Sequence, residues 1–280
     1  MIHVSISEAL VKEHICCVIE CIKNYYDENE ILLSIQMLGV KSIEEFLRAD
    51  VATMRKWVSM SRETLQFICF KEIYSKYFSN GSKKYVAKDY NAYKFFELLD
   101  ITVCPYCEDE YMDIVADRTR RTYEIDHFFP KSKYPALAMN IYNLVPSGQI
   151  CNRLKLEKEM EANPYEEDIE MQTWLYPDLP VGISMEVVKP SECEIKFHPQ
   201  DRMKRNVDEL SLENRYKKHT GEAYRLLKNL QLYDENKINE LSRMGIGTRE
   251  EIITTVFGPQ DSQEKKKSLR QKMLRDLTGY

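Results

Sequence analysis

The stretch "EIDHFFPKSKYPALAMNIYNLVPSGQICNRLK", residues 124–155, decides how this chain is read. An Asp-His pair closes the alternating run "TYEIDHFFP", which reads as a strand. Asn-Arg-x-x-Lys falls at the start of "CNRLKLEKEMEA", which reads as a helix. Between them Pro130, Pro135 and Pro146 break regularity, which predicts loop over 130–148. Upstream, "TVCPYCEDEYMDIV" is a second β-type run, and the polar, basic "ADRTRR" between the two reads as a hairpin turn. The predicted order is hairpin, long loop, helix.

These residue types in this order suggest one kind of chemistry. Neighbours on a strand point to opposite sides, but a bend before Pro130 can bring Asp126 and His127 to the rim of one site. The Asp126 carboxylate is a hard oxygen ligand suited to Mg²⁺ or Mn²⁺. His127 titrates near neutrality and can take a proton from water. Asn152, in the first helical turn, offers a second oxygen ligand, and the helix N-terminus favours an anion such as phosphate. Arg153 and Lys155 add positive charge there. Asp126, His127 and Asn152 thus form a metal-and-base unit aimed at a phosphodiester.

Outside this stretch the chain is mainly helical. Residues 1–95 read as helices, with capping-box spacing at Ser5-x-x-Glu8 and Ser42-x-x-Glu45. A helix over "TLQFICFKEIYSKYF" (64–78) stops before the turn residues "SNGSKK", and "NAYKFFELLD" leads into the Cys104–Cys107 pair. Residues 161–280 begin as a mixed segment, with a candidate hairpin in "ISMEVVKPSECEIKFHP" (183–199), and turn helical from Val207. "LGVKSIEEF" and "MGIGTREEI" echo each other, which shared helix-turn-helix chemistry explains better than a duplicated module. The basic run "KKKSLRQKMLRDL" at the end reads as a solvated helix face. The expected fold class is α+β, mostly helical, in three parts: 1–95, 96–160 and 161–280.

Composition narrows the function. The chain has 280 residues and a formal net charge of −5, which argues against coating nucleic acid through bulk charge and leaves room for a local basic groove. No window has the length and apolarity of a membrane span. The N-terminus lacks a basic leader and carries Glu8, Lys12 and Glu13, so the expectation is a cytoplasmic, reduced protein. Cys16, Cys17, Cys21 and Cys69 fall in apolar helical surroundings, as small buried hydrophobes do. His3, His14 and His219 have no motif around them and read as structural.

The spaced elements "CPYC", "DHFFPKSKYP" and "NIYNLVPSxxxCNRLK" resemble the HNH endonucleases of the ββα-metal, or His-Me finger, fold. The resemblance covers about residues 100–160 and is to a bacterial subgroup, some of whose members serve Septu-type anti-phage systems beside an ATPase. It implies a compact ββα unit between the two helical regions. In it Asp126 and Asn152 would hold one catalytic Mg²⁺ or Mn²⁺, His127 would be the general base, and Asn143 would orient His127 by holding the loop. Lys155 would contact phosphate.

Two departures from the subgroup stand out. Its second C-x-x-C, which completes a zinc site, reads here Gly148-Gln-Ile-Cys151. Structural zinc takes four ligands, so three alternatives stay open for Cys104, Cys107 and Cys151. The site is weak and three-coordinate, a distant residue such as Cys193 or His198 completes it, or no zinc binds. The second departure is "EDEY" after the cysteine pair, where Glu108, Asp109 and Glu110 predict an acidic edge unsuited to a nucleic-acid backbone. The expected function is a metal-dependent HNH endonuclease acting on nucleic acid, DNA before RNA. It would be an anti-phage effector licensed by a partner ATPase. An RNA- or tRNA-cleaving nuclease and a non-catalytic HNH-fold interaction protein are the alternatives.

Overall fold

The first helix starts where a serine hydroxyl can take up its exposed amides. In the computed structural model, which describes residues 1–60, 65–79, 90–115, 120–259 and 266–280, Ser7 rather than Ser5 caps α1 (Glu8–Tyr25), accepting from the Leu10 amide at 3.2 Å. After α2 (Glu28–Gln36), Ser42 caps α3 (Ile43–Leu47) as its spacing predicts. Then come α4 (Val51–Met60) and α5 (Cys69–Ile73), which continues as a π-helical turn over Tyr74–Phe78. The helix predicted over 64–78 is therefore shorter. Thr64 and residues 80–84 of "SNGSKK" lie outside the described residues. α6 (Ala92–Leu99) follows, with Asn91 as its cap.

The predicted first hairpin is reduced to β1 (Ile114–Val115) paired with β2 (Arg120–Arg121) and a bridge between Val103 and Tyr111, with 116–119 outside the described residues. The ladder that matters for the site is different. β3 (Tyr123–His127) pairs antiparallel with β4 (Leu144–Gly148), and β4 runs directly into α7 (Gln149–Lys155). The stretch predicted as loop over 130–148 thus ends in a strand, reached through 3₁₀ turns at Pro135–Met139 and Ile141–Asn143. Pro146 is compatible with that strand because alternate amides in a two-stranded ladder face away from the partner.

A third ladder pairs β5 (Thr173–Pro177) with β6 (Ile195–Pro199). The second half of the candidate hairpin is right, but its partner lies earlier because Pro190–Glu192 coils as a 3₁₀ turn. Helices α8 (Asp201–Glu209), α9 (Leu212–Tyr216), α10 (Thr220–Leu232), α11 (Glu235–Arg243), α12 (Arg249–Phe257) and α13 (Gln271–Thr278) complete the described chain. The fold is α+β and mostly helical, as expected. None of the described helices is long and apolar enough to cross a membrane. Gly39 and Gly245 stop their helices at φ +81° and +77°, each followed by a serine or threonine cap, which accounts for the sequence echo. The basic run at the end is not a solvated face: α13 buries Met273, Leu274 and Leu277, and Lys272 is buried beside Asp276 at 3.0 Å. Lys265, its first residue, lies outside the described residues.

Buried apolar side chains form one cluster from Met1 to Leu277. Cys17 and Cys21 belong to it, whereas Cys16 is exposed. The N-terminal helices grip the 3₁₀ turns directly. Asn140 donates to the Phe46 and Ala49 carbonyls at 2.9 and 3.1 Å, and His14 Nε2 donates to the Met139 carbonyl at 2.8 Å. His14 Nδ1 accepts from the Tyr90 hydroxyl at 2.9 Å, so the neutral ring is fully satisfied in the core. Burial lowers the His14 pKa from 6.5 to about 4, against a smaller opposing effect of the Met139 carbonyl. Above pH 6.5 the ring is neutral whether the chain is folded or not. Between 6.5 and 4 only the unfolded chain takes the proton. Folding stability is therefore expected to fall by about 3 kcal/mol across that window. Urea unfolding at pH 7 and pH 4 should show this loss in the wild type beyond any in His14→Gln. Parallel pH profiles would refute it.

Candidate active site and cysteine cluster

The strand–turn–helix unit brings Asp126, His127 and Asn152 to one cavity of about 270 Å³, which Tyr74, Lys131 and Glu157 also line. Each of the three reaches it differently. Asp126 is 4 % exposed and both of its oxygens are engaged. Oδ2 accepts from the Tyr106 hydroxyl at 2.8 Å and Oδ1 pairs with Lys155 Nζ at 3.0 Å. Burial and the Asp126 charge push the Tyr106 phenol well above its ordinary pKa of 10, so it remains a donor. Asn152, half-buried on α7, has no side-chain hydrogen-bond partner among the described residues, leaving its oxygen free for a cation.

His127 is fixed by its own backbone surroundings. Its Nε2 lies 3.1 Å from the Ala138 carbonyl oxygen. A carbonyl only accepts, so Nε2 carries the proton and Nδ1 keeps the lone pair. Nδ1 has no partner among the described residues. Tyr74 packs edge-on against the ring at 4.4 Å. Burial, then the charge of Lys131, hold the imidazole well below its ordinary 6.5, with the Ala138 bond opposing them. The result is a neutral imidazole with one basic nitrogen to spare.

Asn143 does not reach His127; it holds the loop that does. Its Oδ1 accepts from the Phe129 amide at 2.7 Å, while Nδ2 donates to the Phe129 and Leu137 carbonyls at 3.2 and 2.9 Å. These bonds join both ends of the segment running from His127 to Ala138. Lys155 has a different setting from the phosphate contact expected of it. It is fully buried, and its ammonium binds Asp126 and the His127 carbonyl, the latter at 2.7 Å. The burial of Lys155 is legible only once α7 is folded back on β3. Lys131, by contrast, lies at the cavity with Nζ 4.2 Å from the Tyr74 ring centre, and Lys133 pairs with Glu159.

The cysteines form a second cluster behind this one. Cys104, Cys107 and Cys151 converge with Glu110, and one ligand atom from each lies within 4.8 Å of the others. Of the alternatives for a fourth ligand, neither Cys193 nor His198 takes part. Cys193 is buried next to the Pro190–Glu192 turn, and His198 is exposed on β6. Glu110 is the member of this cluster that the sequence alone does not single out. It lies three positions after Cys107, a metal-ligand spacing, but the run of acids around it reads as surface. Cys104 carries the lowest of the three thiol pKa values: burial resists ionisation, but hydrogen bonds from Cys107, Cys151 and nearby amides overcome it. Burial and the neighbouring sulfur push Cys107 up to about 12. Three sulfurs this close do not all ionise without a cation among them.

The acidic edge dissolves in the structure. Glu108 is buried and accepts from the Lys272 amide at 2.9 Å; Asp109 is held by His219, Lys218 and Arg270. Glu110 accepts from the Ile150 and Cys151 amides at 3.0 and 3.3 Å. The anion at the start of α7 is thus Glu110 itself, and the phosphate expected there would meet a carboxylate already in place.

No family model matches the chain, and no solved structure does. Two curated proteins share parts of it. Protein ea31 of Escherichia phage lambda is 27% identical over 129 residues, which is 42% of this chain and 40% of ea31. Septu protein PtuB of Bacillus thuringiensis is 36% identical over 61 residues, 22% of each chain. The chain therefore spans less than half the length of either relative.

The Asp126–Lys155 pair makes a direct prediction. Lys155→Met should strand a buried carboxylate and destabilise the fold by about 3–5 kcal/mol, whereas Asp126→Asn combined with Lys155→Met should cost less than the single change. Chemical denaturation of the four proteins of this cycle measures both; additive losses would show that the two groups are not coupled.

Proposed function

We propose that this chain is a metal-dependent endonuclease of the HNH type, hydrolysing phosphodiester bonds in nucleic acid, with DNA as the preferred substrate. The observation that carries this reading is the state of His127: its proton is fixed on Nε2 by the Ala138 carbonyl, which leaves a neutral Nδ1 beside a carboxylate in an open cavity. A structural Asp-His pair would be satisfied by contact between the two side chains. Here Asp126 is bound by Tyr106 and Lys155 instead.

The donor set fits a hard divalent cation. Asp126 and Asn152 are the residues that would hold Mg²⁺ or Mn²⁺, ions that keep several waters and need few protein oxygens. Such an ion supplies Lewis acidity at a phosphate oxygen. The remaining work falls to the chain's own side chains. His127 Nδ1 takes the proton from the attacking water, and its depressed basicity keeps it unprotonated at neutral pH. Asn143 keeps the base in place by closing the loop, so it is a positioning residue. Tyr106 and Lys155 hold the Asp126 carboxylate in one orientation. Lys131, on the cavity wall, supplies positive charge for a nucleic-acid backbone.

The similarity to a Septu protein supports a place in anti-phage defence; a partner ATPase, as the family resemblance implies, would recruit or license the nuclease. A net charge of −5 accords with an enzyme that depends on a partner to capture substrate.

Cleavage of plasmid DNA and of structured RNA with Mg²⁺ or Mn²⁺ tests the reading. His127→Ala should lower the rate by roughly 10²–10⁴ without loss of folding. Faster cleavage of RNA would reassign the substrate, and equal rates in wild type and variant would remove His127 from the chemistry.

A further inference from the structure

Gly148 makes room by its missing side chain, not by its backbone freedom. Its φ of −60° is open to any residue. A Cβ built there would stand 2.5 Å from Glu110 Cδ and 2.6 and 2.7 Å from the two carboxylate oxygens. A side chain at 148 would therefore push the Glu110 carboxylate out of the position it holds here. The same carboxylate completes a four-atom cluster with the sulfurs of Cys104, Cys107 and Cys151. Ligands about 2.0–2.3 Å from a tetrahedral zinc stand roughly 3.5–3.8 Å apart, so a small contraction of this cluster would suit the ion.

We propose that Cys104, Cys107, Cys151 and Glu110 bind one zinc ion, with Glu110 as the fourth ligand and Gly148 as the residue that admits it. Charge and orientation both favour this arrangement. Three thiolates and a carboxylate exceed a divalent ion by two negative charges. Arg215 offsets one of them, donating to Cys151 Sγ at 3.1 Å and Glu110 Oε2 at 3.2 Å with only 11 % of its side chain exposed. The Ile150 and Cys151 amides aim the carboxylate at the sulfurs. Soft thiolates select zinc over the hard cations suited to the cavity beyond. The proposal does not rest on the nuclease reading, because its tests measure metal and not cleavage.

The rival role for Glu110 is that of a helix cap paired to Arg215, with no metal. Elemental analysis of protein purified without added metal, chelator competition and the cobalt-substituted absorption spectrum separate the two. The wild type should carry one zinc per chain, and its cobalt form should show thiolate charge-transfer bands. Glu110→Gln, which keeps the shape of the side chain, should weaken zinc binding by roughly 100-fold or more. Gly148→Ala should cause a similar loss in the wild type and none beyond that already present in Glu110→Ala. Gly148→Cys added to Glu110→Ala should recover affinity by supplying a fourth thiolate, although the cap stays absent. Wild-type protein free of zinc, unchanged affinity in Glu110→Gln, or no recovery in the double variant would each overturn the assignment.

Discussion

A carboxylate buried to 4 % exposure must find partners for both oxygens, and Asp126 finds them on two different segments. Tyr106 comes from the cysteine loop and Lys155 from the end of α7, while Asp126 itself sits on β3. Satisfying this one side chain draws loop, strand and helix together. Lys155 also spends a hydrogen bond on the His127 carbonyl, so the residue after the carboxylate is fixed by the same ammonium. The rest of the site is arranged around that point.

The second constraint is the turn that faces His127. Its carbonyls at Ala138 and Met139 are adjacent in sequence and each accepts from a different histidine, His127 from the strand and His14 from α1. Asn140 and Asn143 secure the ends of the same segment against the N-terminal helices and the loop. The N-terminal region is thereby part of what holds the candidate base in position.

Much of the site was legible from residue types alone. Asp126, His127 and Asn152 share a cavity because a strand end and a first helical turn, both readable from local pattern, meet there. Asn143 as a loop holder, and the three cysteines as one set, come from the family resemblance and not from residue types. What was hidden depended on tertiary contact. β4 was hidden by Pro146, whose effect depends on which way its missing amide faces. Lys155 reads as a surface residue in any helical sequence, and only its packing over β3 shows the ion pair. Glu108, Asp109 and Glu110 look like one acidic patch, yet their charges point to three different partners. The C-terminal run looks solvated because, over residues 265–277, its lysines and arginines outnumber its apolar residues. Local pattern reports composition along the chain, and each of these features was decided by what came from elsewhere.

Tyr106 lies between Cys104 and Cys107 in sequence, with its hydroxyl on Asp126. The two clusters therefore share a lever whose fulcrum is the cysteine loop. Turning that loop by a few degrees swings a ring of fixed length and moves its far end, the hydroxyl, more than its attachment. The tolerance of the carboxylate for displacement thus becomes the tolerance of the cysteine loop for change. A substitution among the cysteines that leaves the loop path intact is silent at Asp126, and one that alters the path is transmitted along the ring.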